Sequence, residues 1–575
     1  MIFKYLKQFF FFFEDYKKSF IKYSILSVCA AIMELFGVAL IYPFVLKLLS
    51  NTQNNIQKST IVIGIIIVTL FLMKNIFMIF FVYIQSDFLG KFETAIKKRT
   101  MNFFLSAQYS DTCGISFAEK NKIFGLIVPN IMNNFVLRFL NMNINIIIFI
   151  LISAFITLKF PLAMLGAIVC GAFLVLIQNK IYSPFLKKVA TKQSAVGRQN
   201  SQSFSEAVLN LKEIKTSNNE NYFYKKYSDA VGEYYQINKK MTFLTQTPPF
   251  VVEPFAIILL FVLIFVISYQ NLSSPDKLIA SFALIATAIF RLTPAIARIQ
   301  TNINGINATI PLVKEFIDFY SKFNIKNQSE IKQKTFSNFE DKIEIRNVEF
   351  SYEKEKKVLE NINLIINKGE FIGIAGLSGA GKTTLVDLIA GLYKPDKGEI
   401  LFDGDSDKKV KVAYIPQEFS LISGNIRENV AFGSGNIDDS KVIEALKKAQ
   451  LYDFIENNYE NGIYANPFVD STGFSLGQRQ RMAIARALYS EPEILILDEA
   501  TSSLDLKTEN EICSVLNELK GEKTIIAITH KLTTLKVSDK IIFLENNTIS
   551  QTGNYYDLLS SCENFSKLVK LANIK

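Results

Sequence analysis

Eight consecutive residues, Gly376-Leu377-Ser378-Gly379-Ala380-Gly381-Lys382-Thr383, follow the spacing G-x-x-x-x-G-K-[ST]. Glycines let the backbone N–H groups turn inward on a phosphate chain. The lysine ammonium neutralises the β and γ charges, and the threonine hydroxyl can hold Mg²⁺. The run follows the strand-like Phe371–Ala375 and precedes the helical Thr384–Ile389, the context that a nucleotide phosphate cradle requires. Further along, Ile494–Glu499 reads as a buried strand ending in two acids. Asp498 is placed to orient Mg²⁺ and Glu499 to polarise an attacking water. Gln417 closes the short apolar stretch Tyr414-Ile415-Pro416-Gln417, where its amide can reach Mg²⁺ or the water and report the γ-phosphate. Ser502–Asp505 follows the acids closely, and His530, the only histidine, ends the strand-like Thr524–Thr529, where it can hold the γ-phosphate and align the water.

These residues belong to one half of a chain with two solvents. Of 575 residues 49% are hydrophobic, and the mean hydropathy of +0.22 is concentrated before about residue 300. Stretches near the twenty or so apolar residues that a bilayer requires are Ile21–Leu49, Ile61–Ile84, Ile144–Leu158, Pro161–Ile177, Phe250–Tyr269 and Leu278–Arg298. Six spans are expected, the third and fourth forming one helical hairpin. The long stretches Gln85–Phe139 and Gln178–Thr247 are rich in lysine and arginine, whereas Asn51–Thr60 and Asn271–Lys277 offer only Lys58 and Lys277. The positive-inside bias then puts both long stretches and both termini in the cytoplasm, with the ATP site.

The net charge of +10 is accordingly expected to face anionic lipid at the inner surface of the membrane, and no nucleic-acid partner is expected. Met1–Phe20 carries Lys4, Lys7, Lys17 and Lys18 around Phe9–Phe13 without a small-residue cleavage site. It reads as an interfacial helix leading into the first span rather than a removable signal peptide. The five cysteines are scattered without metal spacing and are expected to be reduced. A polar linker over 321–340 separates the membrane domain, 1–320, from a domain over 341–575. In the latter, strand and helix signals alternate as in a parallel-sheet α/β core.

In the order of these motifs the chain resembles the ATP-binding cassette (ABC) transporters, specifically exporters that join six spans to one ATPase domain. The fold this implies is an α-helical six-span transmembrane domain followed by an α/β P-loop ATPase domain, working with ATP and Mg²⁺. The resemblance implies an ATP-binding set of Tyr352, stacked on adenine, with Gly376, Ser378, Gly379, Gly381, Lys382, Thr383, Thr384, Ser475, Gly477, Gln478 and Asp505. Glu499, His530 and Gln417 are the implied catalytic residues, and Thr383, Gln417 and Asp498 the metal site. The family's L-S-G-G-Q signature reads Phe474-Ser475-Leu476-Gly477-Gln478 here, so Leu476 puts a branched side chain where glycine allows close approach. A working ATPase with a weakened closed dimer is expected. Since such ATP sites lie between one P-loop and another subunit's signature, a homodimer is the implied assembly.

Charges within the apolar stretches, Glu34, Lys74, Glu253, Arg291 and Arg298, are expensive unless paired or lining water. One reading pairs Glu34 with Lys74 and Glu253 with Arg291. The other has Lys74, Arg291 and Arg298 grip an anionic headgroup. Glu34-Leu35-Phe36-Gly37, Tyr42-Pro43-Phe44 and Phe290-Arg291-Leu292-Thr293-Pro294 are similar to membrane motifs of bacterial flippases for lipid-linked oligosaccharides. That likeness implies ATP-driven export of a lipid-linked or amphipathic substrate across the bacterial inner membrane. Export of a processed peptide, or of a lipid or drug without glycan, is the alternative.

Overall fold

The computed structural model describes residues 5, 7–8, 16–50, 58–159, 180, 182–247, 250, 253–254, 257–258, 261–262, 265, 275–323, 325, 335–352, 357–417, 419–467, 474–500, 506–529 and 531–573. The apolar stretches of the amino-terminal half form long helices, chiefly Lys17–Ala39, Lys58–Ser106, Leu137–Lys159 and Pro275–Lys322. Four helices among the described residues, Lys18–Leu49, Ile61–Ser106, Glu119–Leu158 and Ile279–Lys322, are long and apolar enough to cross a membrane. Ile76 and Ile79 stand 68% and 73% exposed on one of them, as a helix needs when its outward face meets hydrocarbon. The fourth expected span, Pro161–Ile177, and most of the fifth, Phe250–Tyr269, lie outside the described residues. The helices pack on buried aromatic side chains, among them Phe92, Phe103, Phe135, Phe316 and Tyr320.

The chain divides into two compact units, Met1–Ala107 with Gly114–Ile331, and Gln108–Cys113 with Lys332–Lys575. Among the described residues nine strands organise the second: β1 (Lys342–Phe350), β2 (Leu359–Asn367), β3 (Phe371–Gly376), β4 (Lys397–Phe402), β5 (Val412–Ile415), β6 (Ile494–Asp498), β7 (Thr524–Ile528), β8 (Lys540–Glu545) and β9 (Thr548–Gly553). An antiparallel sheet has the order β2-β1-β4, and a larger sheet the order β5-β6-β7-β3-β8-β9. In the larger sheet β5 to β8 pair in parallel, and β9 is added antiparallel. Every residue of β3 and β7 is buried, which is why both read as apolar runs. The register pairs Asp498 with Ile528 and Ile374 with Ile528. The carboxyl ends of β6, β7 and β3 therefore lie side by side, where open α/β sheets bind ligands.

The start of this unit is clipped to the antiparallel sheet by Asp403. Its carboxylate accepts from the backbone N–H groups of Glu340, Asp341 and Lys342 at 2.9, 2.7 and 3.0 Å and from Lys408 Nζ at 2.7 Å. Burial opposes ionisation, but Lys408 and the three N–H donors hold the carboxyl down to about 2. A folded-state value below the unfolded one stabilises above the unfolded value, near 4, and the effect is lost as pH falls toward 2. Asp403→Asn keeps a residue type that tolerates this position's φ of +53°. It is expected to cost about 2 kcal/mol at pH 7. Thermal unfolding should show that gap closing between pH 4 and pH 2.

Candidate functional site

The phosphate cradle is shaped by two glycines whose replacement the surroundings forbid. At Gly376, with φ of +155°, a Cβ would lie 2.3 Å from the Leu544 carbonyl oxygen, and at Gly381, with φ of +92°, 2.7 Å from Leu359 Cδ2. Gly379 also has positive φ, and helix Lys382–Ile389 begins directly after Gly381. Lys382 Nζ donates to the carbonyls of Gly376 and Leu377, both at 2.9 Å. The ammonium thus already lies over the loop that would receive phosphate. Burial lowers its pKa, against the charges of Glu499 and Asp498.

Asp498, the last residue of β6, accepts from the Tyr414 hydroxyl at 2.7 Å through Oδ2 and also from the Thr383 hydroxyl. Burial, assisted by Glu499, raises its carboxyl. A threonine hydroxyl already touching a carboxylate, beside a lysine, is the hard oxygen donor set that suits Mg²⁺ bound to phosphates. Glu499 follows in the left-handed region at φ +48°, with its N–H bonded to the Ile528 carbonyl at 3.0 Å. Its Oε2 accepts from Gln417 Nε2 at 3.2 Å, so the expected base and the expected sensor are in contact.

Tyr352 lies on the same side of the cradle: its hydroxyl and the Thr384 hydroxyl are 2.9 Å apart. Phe350 and Tyr393 meet its ring edge-on at 5.1 and 5.4 Å. The ring is 53% exposed, which leaves apolar surface for a base to stack on. Ser378 lies in the loop between Leu377 and Gly379. His530 and Asp505 lie outside the described residues.

Ser475, Gly477 and Gln478 open helix Leu476–Tyr489, and there Gln478 has a task its motif position did not reveal. The Gln478 side chain accepts from the Ser475 N–H at 2.8 Å, and Ser475 Oγ accepts from the Gln478 N–H at 3.3 Å. This capping box fixes the helix start, whose N–H groups favour an anion. Leu476, the first helical residue, is 48% exposed. An apolar side chain there meets whatever approaches the helix start. Leu476→Gly should therefore raise ATP turnover, by up to about fivefold if its removal recovers about 1 kcal/mol of closure; a slower variant would overturn this.

Sequence reasoning missed two residues beside the cradle. One is Tyr414, whose role was hidden because its partner is distant in sequence. The other is Asp387, on the inner face of helix Lys382–Ile389, raised to about 6 by burial and by Asp498. An acid in an otherwise apolar turn was the available signal for the second.

In the membrane unit, Glu34 is the common partner of two cations. Lys74 Nζ lies 2.7 Å from its Oε2 and Arg291 Nη1 2.9 Å from its Oε1. Arg291 is thus paired with Glu34, not with Glu253, which corrects one of the expected pairs. The Phe71 ring lies 5.4 Å from both Lys74 Nζ and Arg291 Cζ. It packs where Gly37 has no side chain, since a Cβ there would approach it to 3.3 Å. Arg298 is exposed seven residues beyond Arg291, on the same helix face about 10 Å away.

Comparison with known proteins adds three findings. Residues 359–502 match the profile of the family described as ABC transporter. The chain is 32% identical over 390 residues to an ATP-dependent lipid A-core flippase of Saccharophagus degradans, covering 66% of this chain and 64% of the relative. It is 36% identical over 295 residues to the heterocyst differentiation ATP-binding protein HepA of Nostoc, covering 49% and 48%. The chain thus spans about half to two thirds of the length of these relatives. Among solved structures, a bacterial Atm1-family ABC exporter with ATP bound superposes with a TM-score of 0.80 at 19% identity, covering 97% of this chain and 98% of that one.

Proposed function

We propose that this chain, an ABC exporter by its fold and its ATPase domain, uses ATP to flip a lipid-linked substrate with an anionic headgroup across the bacterial inner membrane. The observation that carries the substrate class is the Lys74–Glu34–Arg291 cluster, in which two cations share one carboxylate on apolar helices. Its surplus positive charge is costly in such surroundings, and an anionic headgroup would offset it. Arg298, on the same face as Arg291, extends the charge toward a second phosphate or an acidic sugar. The name of the lipid A-core flippase relative fits the same class.

The motor is a homodimer in which each ATP lies between one P-loop and the partner's Ser475–Gln478 segment. The cradle of Gly376, Ser378, Gly379 and Gly381 binds the phosphates through backbone N–H groups, with Lys382 over the β and γ charges and Thr384 at the helix start. Tyr352 stacks on adenine. Thr383 and Asp498, with Gln417, would hold Mg²⁺, which when bound would neutralise charge on the phosphates. Glu499 takes the proton of the attacking water; the family resemblance assigns a catalytic role at the γ-phosphate to His530 and a part in ATP binding to Asp505. ATP binding closes the cytoplasmic domains and turns the membrane cavity outward, and hydrolysis resets them.

The test is reconstitution in liposomes with a labelled polyprenyl-diphosphate sugar lipid. ATP-dependent movement with the parent and none with Glu499→Gln is the expected result. No movement with the parent, or equal movement with both, overturns the flippase reading.

A further inference from the structure

Tyr414 precedes the glutamine of its motif by three residues and touches the candidate metal site through its hydrogen bond to Asp498. We propose that it is a positioning residue for the divalent cation: its phenol braces Asp498 so that the carboxylate presents one oxygen to the metal. This rests on the reading of the cradle as a Mg²⁺–ATP site.

The geometry follows from strand register. β5 and β6 are parallel neighbours in which Tyr414 pairs with Ile496. Asp498 is two residues further along β6 and therefore on the same face of the sheet, about 6.6 Å away along the strand. A tyrosine side chain spans that offset, and its hydroxyl reaches Asp498 Oδ2 at 2.7 Å. No shorter side chain at 414 bridges the gap.

The brace matters because of what surrounds Asp498. Glu499 and Lys382 act on the carboxylate with opposite charge, and the Thr383 hydroxyl also bonds to it. An unbraced carboxylate can rotate among these neighbours. With Oδ2 occupied by the phenol, rotation is blocked and the other oxygen remains for the cation's shell. Mg²⁺ demands near-ideal octahedral geometry, so a ligand of fixed orientation gains affinity. Outer-shell partners of metal ligands are typically worth about 10- to 100-fold. Tyr414 is partly buried against the core cluster that includes Ile374, Leu385, Ile494 and Ile496, and Tyr414→Phe keeps that packing while removing only the hydroxyl.

The experiment uses the purified full chain and its Tyr414→Phe variant. Three quantities are measured: the Mg²⁺ concentration for half-maximal turnover at saturating ATP, Mn²⁺ binding in the presence of ATP by electron paramagnetic resonance, and ATP binding in EDTA. The expected result is a rise of about tenfold or more in both metal midpoints, with metal-free ATP binding unchanged. Midpoints within about twofold of the parent, alongside a lower unfolding temperature, would mean that the hydroxyl serves only stability and overturn the proposal. Failure of the underlying ATP site shows differently, as absent nucleotide binding in the parent itself, and overturns the proposal as well.

Discussion

Glu499→Gln should lower ATP turnover about 10²- to 10⁴-fold, the range for losing a positioned general base, while ATP still binds. Glu499 directly follows the carboxyl end of β6, with its N–H anchored on Ile528 and its side chain on Gln417. Glutamine is isosteric and can keep the contact with Gln417, so backbone geometry at φ +48° is conserved and only the proton acceptor is lost. The cradle glycines and Lys382 are untouched, which is why nucleotide affinity should survive. Phosphate release and equilibrium binding of labelled ATP measure the two halves. Turnover within about threefold of the parent would reassign the base to another group.

The second large effect concerns the membrane cluster and is asymmetric. Glu34→Gln leaves Lys74 and Arg291 facing each other with side chains only 11% and 30% exposed and no shared counter-charge. Removing the common partner of a buried cluster costs about 3–5 kcal/mol. Arg291→Gln instead leaves a matched Lys74–Glu34 pair and should unfold within about 1 kcal/mol of the parent. It should nevertheless lose stimulation of turnover by an anionic lipid, because the surplus charge is gone. Thermal unfolding in detergent and lipid-stimulated ATPase separate the two variants. An unfolding temperature for Glu34→Gln equal to that of the parent would show that the carboxylate does not hold the cluster together.

The nucleotide loop, the acid pair after β6 and the apolar helices were legible because each is written in neighbouring residues. Phosphate N–H donors must be contiguous, so Gly376–Thr383 declares itself by spacing alone. A buried parallel strand is apolar at nearly every position, so β3, β6 and β7 show as apolar runs, with Asp498 and Thr524 only at strand ends. A span is apolar for some twenty residues because the bilayer demands it. Local chemistry sufficed for these.

Contacts between distant segments were not written that way. Glu34 was expected to take one cation and takes two, because helix packing brings Arg291 to the carboxylate oxygen opposite Lys74. Gln478 carries a motif position whose side chain the helix start uses as a cap. Asp403 clips residues 340–342 across the antiparallel sheet, 61 to 63 residues away in sequence. Tyr414 and Asp498 are 84 residues apart and meet only because β5 and β6 share a register. By itself the sequence determined which groups a nucleotide and a bilayer require, since those follow from residue type and short spacing. Only the tertiary structure decided which side chain braces, pairs or caps another, since those distances are set by strand register and helix packing.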